Sequence, residues 1–223
     1  MRRLNHTTIA FLVAAAVITF LPVAANADIY ELGFAFSGAV PPDGPGPWLR
    51  AIISDAGSGD VYLTMQSLLT GPTEYVNSSG WLFNLDPSLD PDLLNISYSA
   101  GPYPNLAVVT TGVNFFQADG DGQYDISFNF PQAPPADRFN GSDEVTYLIS
   151  YPGVDLSNAS FHWPSEEPGP NGSYFTAAHV QGTGGGEGSE WIGSQGKIPE
   201  PTTLALLFSA GLMLTTSRFR RIH

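Results

Sequence analysis

Asp119-Gly120-Asp121-Gly122-Gln123-Tyr124-Asp125 puts three carboxylates at spacings of two and four, between glycines that permit tight curvature. Carboxylate oxygens wrapped around a turn suit a hard cation, so Asp119, Asp121 and Asp125 are candidate calcium ligands. The pattern departs from an EF-hand loop: Tyr124 stands where that loop needs glycine, and no glutamate closes it. Asp-Gly is equally a hairpin signal. A second set is His162, in Phe161-His162-Trp163, and His179, in Ala177-Ala178-His179-Val180-Gln181. With Glu166 or Glu167 they could make a metal or acid/base site if the fold joins them, though no His-x-x-x-His spacing supports it. Glu166 and Glu167 are adjacent, and on a strand they would point to opposite faces, so a glycosidase pair would need special placement. Trp48, Trp81, Trp163 and Trp191 could line a sugar platform, because flat rings stack on sugar C–H faces, and His179 is a further candidate ligand contact; the competing role for each is packing in the fold. There is no Gly-x-Ser-x-Gly elbow and no phosphate loop.

The elements that would carry these residues are short. In 223 residues there are 24 Gly, 19 Pro and no Cys, which excludes disulfides, thiolate metal sites and a cysteine nucleophile and makes long helices improbable. Apolar residues alternate in Asp60–Gln66, Tyr124–Phe130 and Val145–Tyr151, as half-buried strands require. Further strands are expected over Ile29–Phe36, Trp48–Ser54, Glu74–Asn84, Asn95–Tyr98, Ala107–Gln117, Ala159–Trp163 and Tyr174–Gln181. Turn signals every ten to fifteen residues then imply an all-β domain, an antiparallel β-sandwich or jelly roll. Gly182–Ser189 reads as a glycine loop and residues 193–197 as a linker, so the domain is expected over 28–192.

Charge separates this domain from its ends. The whole chain carries −13, but residues 28–198 hold three basic residues (Arg50, Arg138, Lys197) against 20 acidic ones, a balance of −17. So acidic a domain has little cation to neutralise phosphates, which argues against nucleic acid as a partner. The first 27 residues read as a secretory signal peptide: Arg2-Arg3, an apolar run from Ile9 to Val23, and Ala25-Asn26-Ala27, a small-x-small site for signal peptidase. Residues 198–223 contain Pro199-Glu200-Pro201, an uncharged stretch of 16 residues from Thr202 to Ser217, and Arg218, Arg220 and Arg221. At about 1.5 Å per residue that stretch reaches about 24 Å, short of the ~30 Å hydrocarbon core. It is a marginal membrane helix whose arginines stay cytoplasmic and leave the domain outside.

This tripartite tail resembles the PEP-CTERM sorting signal of exported bacterial proteins. The resemblance implies a Gram-negative host, a membrane-held intermediate, and processing by an exosortase that recognises Pro199, Glu200 and Pro201. It implies delivery to the cell envelope, surface or extracellular matrix, where biofilm polysaccharide is a possible contact. The middle is similar to β domains that accompany such tails, through Trp81-Leu82-Phe83-Asn84-Leu85-Asp86-Pro87, Asp119-Gly120-Asp121-Gly122 and Ala178-His179-Val180-Gln181-Gly182. That likeness carries no activity. Three functions remain open: a non-enzymatic structural or adhesive protein, a carbohydrate-binding module with or without calcium, and a hydrolase using His162, His179 and a carboxylate.

Overall fold

A computed structural model describes residues 27–166, 169–194 and 197–199. The fold is all-β, built from two antiparallel sheets. The first runs β13 (Lys197–Pro199), β1 (Ala27–Leu32), β3 (Leu49–Gly57), β4 (Asp60–Ser67), β10 (Glu144–Ser150), β6 (Asn95–Ala100). The second runs β2 (Phe34–Ala35), β12 (Gly188–Ser194), β11 (Thr176–Gly182), β5 (Tyr75–Phe83), β8 (Gln123–Asn129), β7 (Val108–Gln117), with β9 (Phe139–Asn140) added beside β5.

Period-two patterning decides which face is buried. Along β10, Val145, Tyr147 and Ile149 are buried while Glu144, Thr146 and Leu148 are half-buried. Their cross-strand partners Met65, Leu63 and Val61 on β4 are buried too, so each register step places an apolar pair on the inner face. Tyr30, Leu32, Ile53, Leu63 and Tyr147 from one sheet meet Val76, Trp81, Phe83, Phe128 and Val180 from the other in one core. An aromatic contact stitches the layers, with Phe128 of β8 lying 5.0 Å from Tyr147 of β10, while Phe130 stacks on Phe139 at 4.3 Å on the second sheet's side. A smaller apolar cluster of Phe36, Leu82, Ala118, Tyr124, Tyr174 and Ala177 packs apart from this core.

Three expectations are corrected. Ala159–Trp163 is not a strand: Asn158–Phe161 forms a 3-10 turn in which Ser157 and Ser160 close a reciprocal capping box. Gly182–Ser189 is not all loop: Thr183–Gly186 makes one tight helical turn and β12 starts at Gly188. Residues 193–197 are not simply a linker, because Gly193 and Ser194 complete β12 and Lys197 opens β13. The glycines permit this reversal. Gly182 has φ +82°, and a Cβ there would stand 1.9 Å from the Thr73 carbonyl oxygen, a position open to glycine alone.

Candidate functional site

The acidic turn does not gather its carboxylates. Asp119 is exposed, with φ +26°. Asp121 is fully buried; its Oδ2 accepts the Tyr124 hydroxyl at 2.5 Å and its Oδ1 has no partner. Burial pushes this carboxyl up to about 7, with the Tyr124 and backbone hydrogen bonds only partly opposing. Asp125 faces elsewhere: its Oδ1 accepts the Asn114 amide at 2.8 Å and its Oδ2 the Leu85 amide at 3.0 Å. Asp121 and Asp125 are thus engaged by different partners, the Tyr124 hydroxyl and the Asn114 and Leu85 amides, rather than converging on one point. Among the described residues no cluster of three or more His, Cys, Asp or Glu is placed to hold a metal. Asp119 and Asp121 belong to the turn and Asp125 to β8, and the calcium expectation does not fit this geometry.

The histidines are not brought together either. His162 Nδ1 lies 3.1 Å from the Tyr30 hydroxyl, and its ring stacks on Phe175 at 4.5 Å, against the main core. His179 is opposite Trp191 in the β11–β12 register and stacks on it at 4.8 Å; its Nδ1 lies 2.6 Å from Asn77 Nδ2. Trp191 borders the smaller apolar cluster. Burial lowers the His179 pKa, against the opposing charges of Asp119 and Glu190. Each histidine thus has its own aromatic and polar partners, and the hydrolase arrangement is not assembled.

Of the proposed ring platforms, Trp81 is 0% exposed, with its Nε1 donating to Thr176 Oγ1 at 2.8 Å. Trp48 is buried and donates to the Gly44 carbonyl at 3.1 Å. Both are core residues, since a buried indole needs one acceptor and each has it. Trp163 alone of the four candidates is exposed, and His179 is half-buried.

Two surface clefts collect chemistry that residue spacing does not reveal. One, of about 220 Å³, has Pro87, Leu89, Pro91 and Val113 on its walls, with Asn114, Asp125 and Glu166. Asn114, held at φ +50°, donates its backbone N–H to Asp125 and its side-chain amide to Glu166 Oε2 at 2.7 Å. Burial raises the Asp125 pKa, and the Glu166 charge adds to the rise. The other cleft, of about 210 Å³, is lined by Thr73, Tyr75, Arg138, Gln181 and Glu187 together with Gly182, Gly186 and Gly188. The Arg138 guanidinium carbon sits 4.0 Å above the Tyr75 ring centroid, its Nε donates to the Gln132 carbonyl at 2.8 Å, and the Tyr75 hydroxyl donates to Gln181 Oε1 at 2.7 Å. Among the described residues the one ion pair is Arg50 with Glu31, at 2.6 Å. Arg138 therefore keeps both Nη groups for another acceptor. Sequence reasoning missed this cleft because Tyr75, Arg138 and Gln181 are far apart in the chain; the only early sign was an isolated arginine in an acidic domain.

Of the sorting residues, Ala27 is the first residue of β1, and Pro199 is the last of β13, paired opposite Asp28. Ala25, Glu200, Pro201, Arg218, Arg220, Arg221 and Glu167 lie outside the described residues. No helix of the described residues is long and apolar enough to cross a membrane. Comparison of the chain with protein-family models, with curated proteins and with solved structures finds no match.

Proposed function

We propose that this chain is an exported cell-envelope or extracellular-matrix protein, made as a membrane-held precursor and processed at both ends by signal peptidase and an exosortase, with its β-sandwich serving a structural or adhesive role. The observation that carries the reading is the register of β1 with β13, where Asp28 faces Pro199. The residue that would follow the signal-peptide cut and the first residue of Pro199-Glu200-Pro201 stand side by side at one end of one sheet. A domain fastened in this way is held to the membrane from one point at both termini, and its remaining surface faces outward. The −17 balance of residues 28–198 suits an exposed, soluble domain, and the positive charge is confined mainly to the segments that address it.

A second reading, carbohydrate binding, is favoured by the Arg138 cleft. Planar polar groups on Arg138, Gln181 and Glu187 offer donors and an acceptor to neighbouring hydroxyls, and the volume suits one sugar ring. The export reading is tested by expressing the full chain in a host with and without an exosortase. The expected result is a longer, membrane-pelleted precursor in the deficient host and a shorter, released form in the competent one. Identical size and location in both hosts would reject it. The sugar reading is tested on a glycan array: Arg138→Ala should abolish the signal of the unsubstituted protein, and an array silent for both proteins would reject it.

A further inference from the structure

The fold keeps Arg138 apart from the domain's own carboxylates. Its neighbour Asp137 is engaged elsewhere, with Oδ1 accepting the Asn105 side-chain amide at 3.1 Å. The backbone is fixed on both sides, by the 3-10 turn Pro135–Asp137 before it and by the fully buried Phe139 after it. Two contacts then place the guanidinium: its face lies on the Tyr75 ring and its Nε donates to the Gln132 carbonyl. Arg138 forms no ion pair with any described carboxylate, in a domain whose residues 28–198 sum to −17. Its Nη edge is thus a preset pair of cationic donors. A second donor is anchored on the same tyrosine. The Tyr75 hydroxyl fills Gln181 Oε1 at 2.7 Å, which leaves the Gln181 Nε2 amide as the end that can donate. Thr73 and Glu187 add oxygens to the same cleft. The Thr73 hydroxyl proton is committed to the Gly182 carbonyl, so that oxygen is left to accept.

We propose that this cleft takes a uronic acid residue of a polysaccharide, an inference that rests on the carbohydrate reading of the site. The sugar carboxylate meets Arg138 Nη and Gln181 Nε2, and its ring hydroxyls donate to Thr73 and Glu187. Charge and donor geometry choose this ligand. A cationic planar edge beside an amide donor matches the two oxygens of a carboxylate. A neutral sugar leaves Arg138 without a counter-charge. A phosphate brings more negative charge than one arginine balances, and Glu187 repels it. The overall charge of the domain opposes a polyanion at long range, so this short-range pair is what holds the acid sugar. The place of the cleft in the fold suits a polymer. Asp28, opposite Pro199, pairs with Ile53 of β3, whereas Leu49 at the other end of β3 pairs with Ser67. The Ser67 carbonyl accepts the Ser142 N–H at 3.2 Å, and Asn140 pairs with Tyr75. The cleft therefore belongs to the end of the sandwich away from Asp28 and Pro199, the end that a domain tethered through those residues presents outward.

Titration calorimetry of the full chain in mild detergent tests this, with short oligomers of galacturonate, glucuronate and mannuronate, each beside its carboxyl-reduced, neutral counterpart. At least one acid oligomer should bind, at least about tenfold more tightly than its neutral form, as a charge-assisted hydrogen bond implies. Arg138→Gln should remove that preference, and Gln181→Glu, which sets a carboxylate where the amide donates, should abolish acid binding; both variants should keep the parent's melting temperature. Glutamate and inorganic phosphate at the oligomer's concentration should not displace it. Equal affinity for acid and neutral forms would overturn the uronate inference and leave the carbohydrate reading standing, whereas silence from every oligomer would overturn both. Acid binding that survives Arg138→Gln, or displacement by glutamate or phosphate, would also overturn the inference.

Discussion

Asp121 carries a carboxyl in a place where water cannot reach it. Its pKa of about 7 in the fold, against 3.8 for a free aspartate, means the native state holds a proton that the unfolded chain releases between those two values. Stability from this group is therefore full below pH 4 and declines as pH rises towards 7. Melting temperature measured from pH 5 to pH 8 should fall, and Asp121→Asn, which keeps an acceptor for Tyr124 and cannot ionise, should flatten that fall. A variant with the same slope as the parent would show that Asp121 ionises freely. Calcium in place of chelator should not move the melting temperature, because a ligand held only by the native state would have to raise it. The tryptophans divide on burial. Trp81→Ala should cost about 3–5 kcal/mol in denaturant unfolding, and Trp163→Ala about 0.5 kcal/mol or less. The sequence held the types and spacings of all these residues. It did not hold their directions, because whether Asp125 meets Asp121 or two backbone amides depends on where Leu85 and Asn114 lie, at separations of 40 and 11 residues.

At the scale of elements, alternation was the dependable signal. Asp60–Gln66 lies within β4 and Val145–Tyr151 matches β10 up to Ser150, since half-buried strands write burial into every second position. The signal failed where backbone geometry outweighed side-chain pattern. β12 begins in a glycine run that carries no alternation, and its place is fixed by pairing with β11 from Thr176–Ser194 to Gln181–Ser189. Ala159–Trp163 has apolar residues at strand spacing, but serine caps on its first turn draw it into a 3-10 helix. The hinge of the β11–β12 reversal is Gly182, whose oxygen also accepts the Thr73 hydroxyl at 2.7 Å. Gly182→Ala should lower stability by about 1–3 kcal/mol, read as a drop in the urea midpoint, and should loosen the Arg138 cleft beside it. An unchanged midpoint would mean that Thr73 can withdraw without cost.

At the scale of the molecule, the sandwich has two unlike sides. One carries β1 and β13, with β13 closing the edge of β1; the other presents β6 and β7, with Asp92 and Glu166 hydrogen-bonded to β7. An all-β class was legible because glycine, proline and alternation all exclude long helices. The inclusion of residues 193–194 and 197–199 in the sheets was not, because Gly193–Lys197 has linker composition and β13 gains its conformation only from β1. Removing residues 197–223 should therefore speed amide hydrogen exchange along β1 by more than along β4, which lies inside the sheet; equal protection would show that β13 does not shield that edge.

The proposed removal of both addressing segments is read directly by intact-mass spectrometry of the protein recovered from a competent host. The mature protein should begin at Asp28 and end within residues 199–202, with β13 retained. A chain that begins at Met1 or ends at His223 would contradict it.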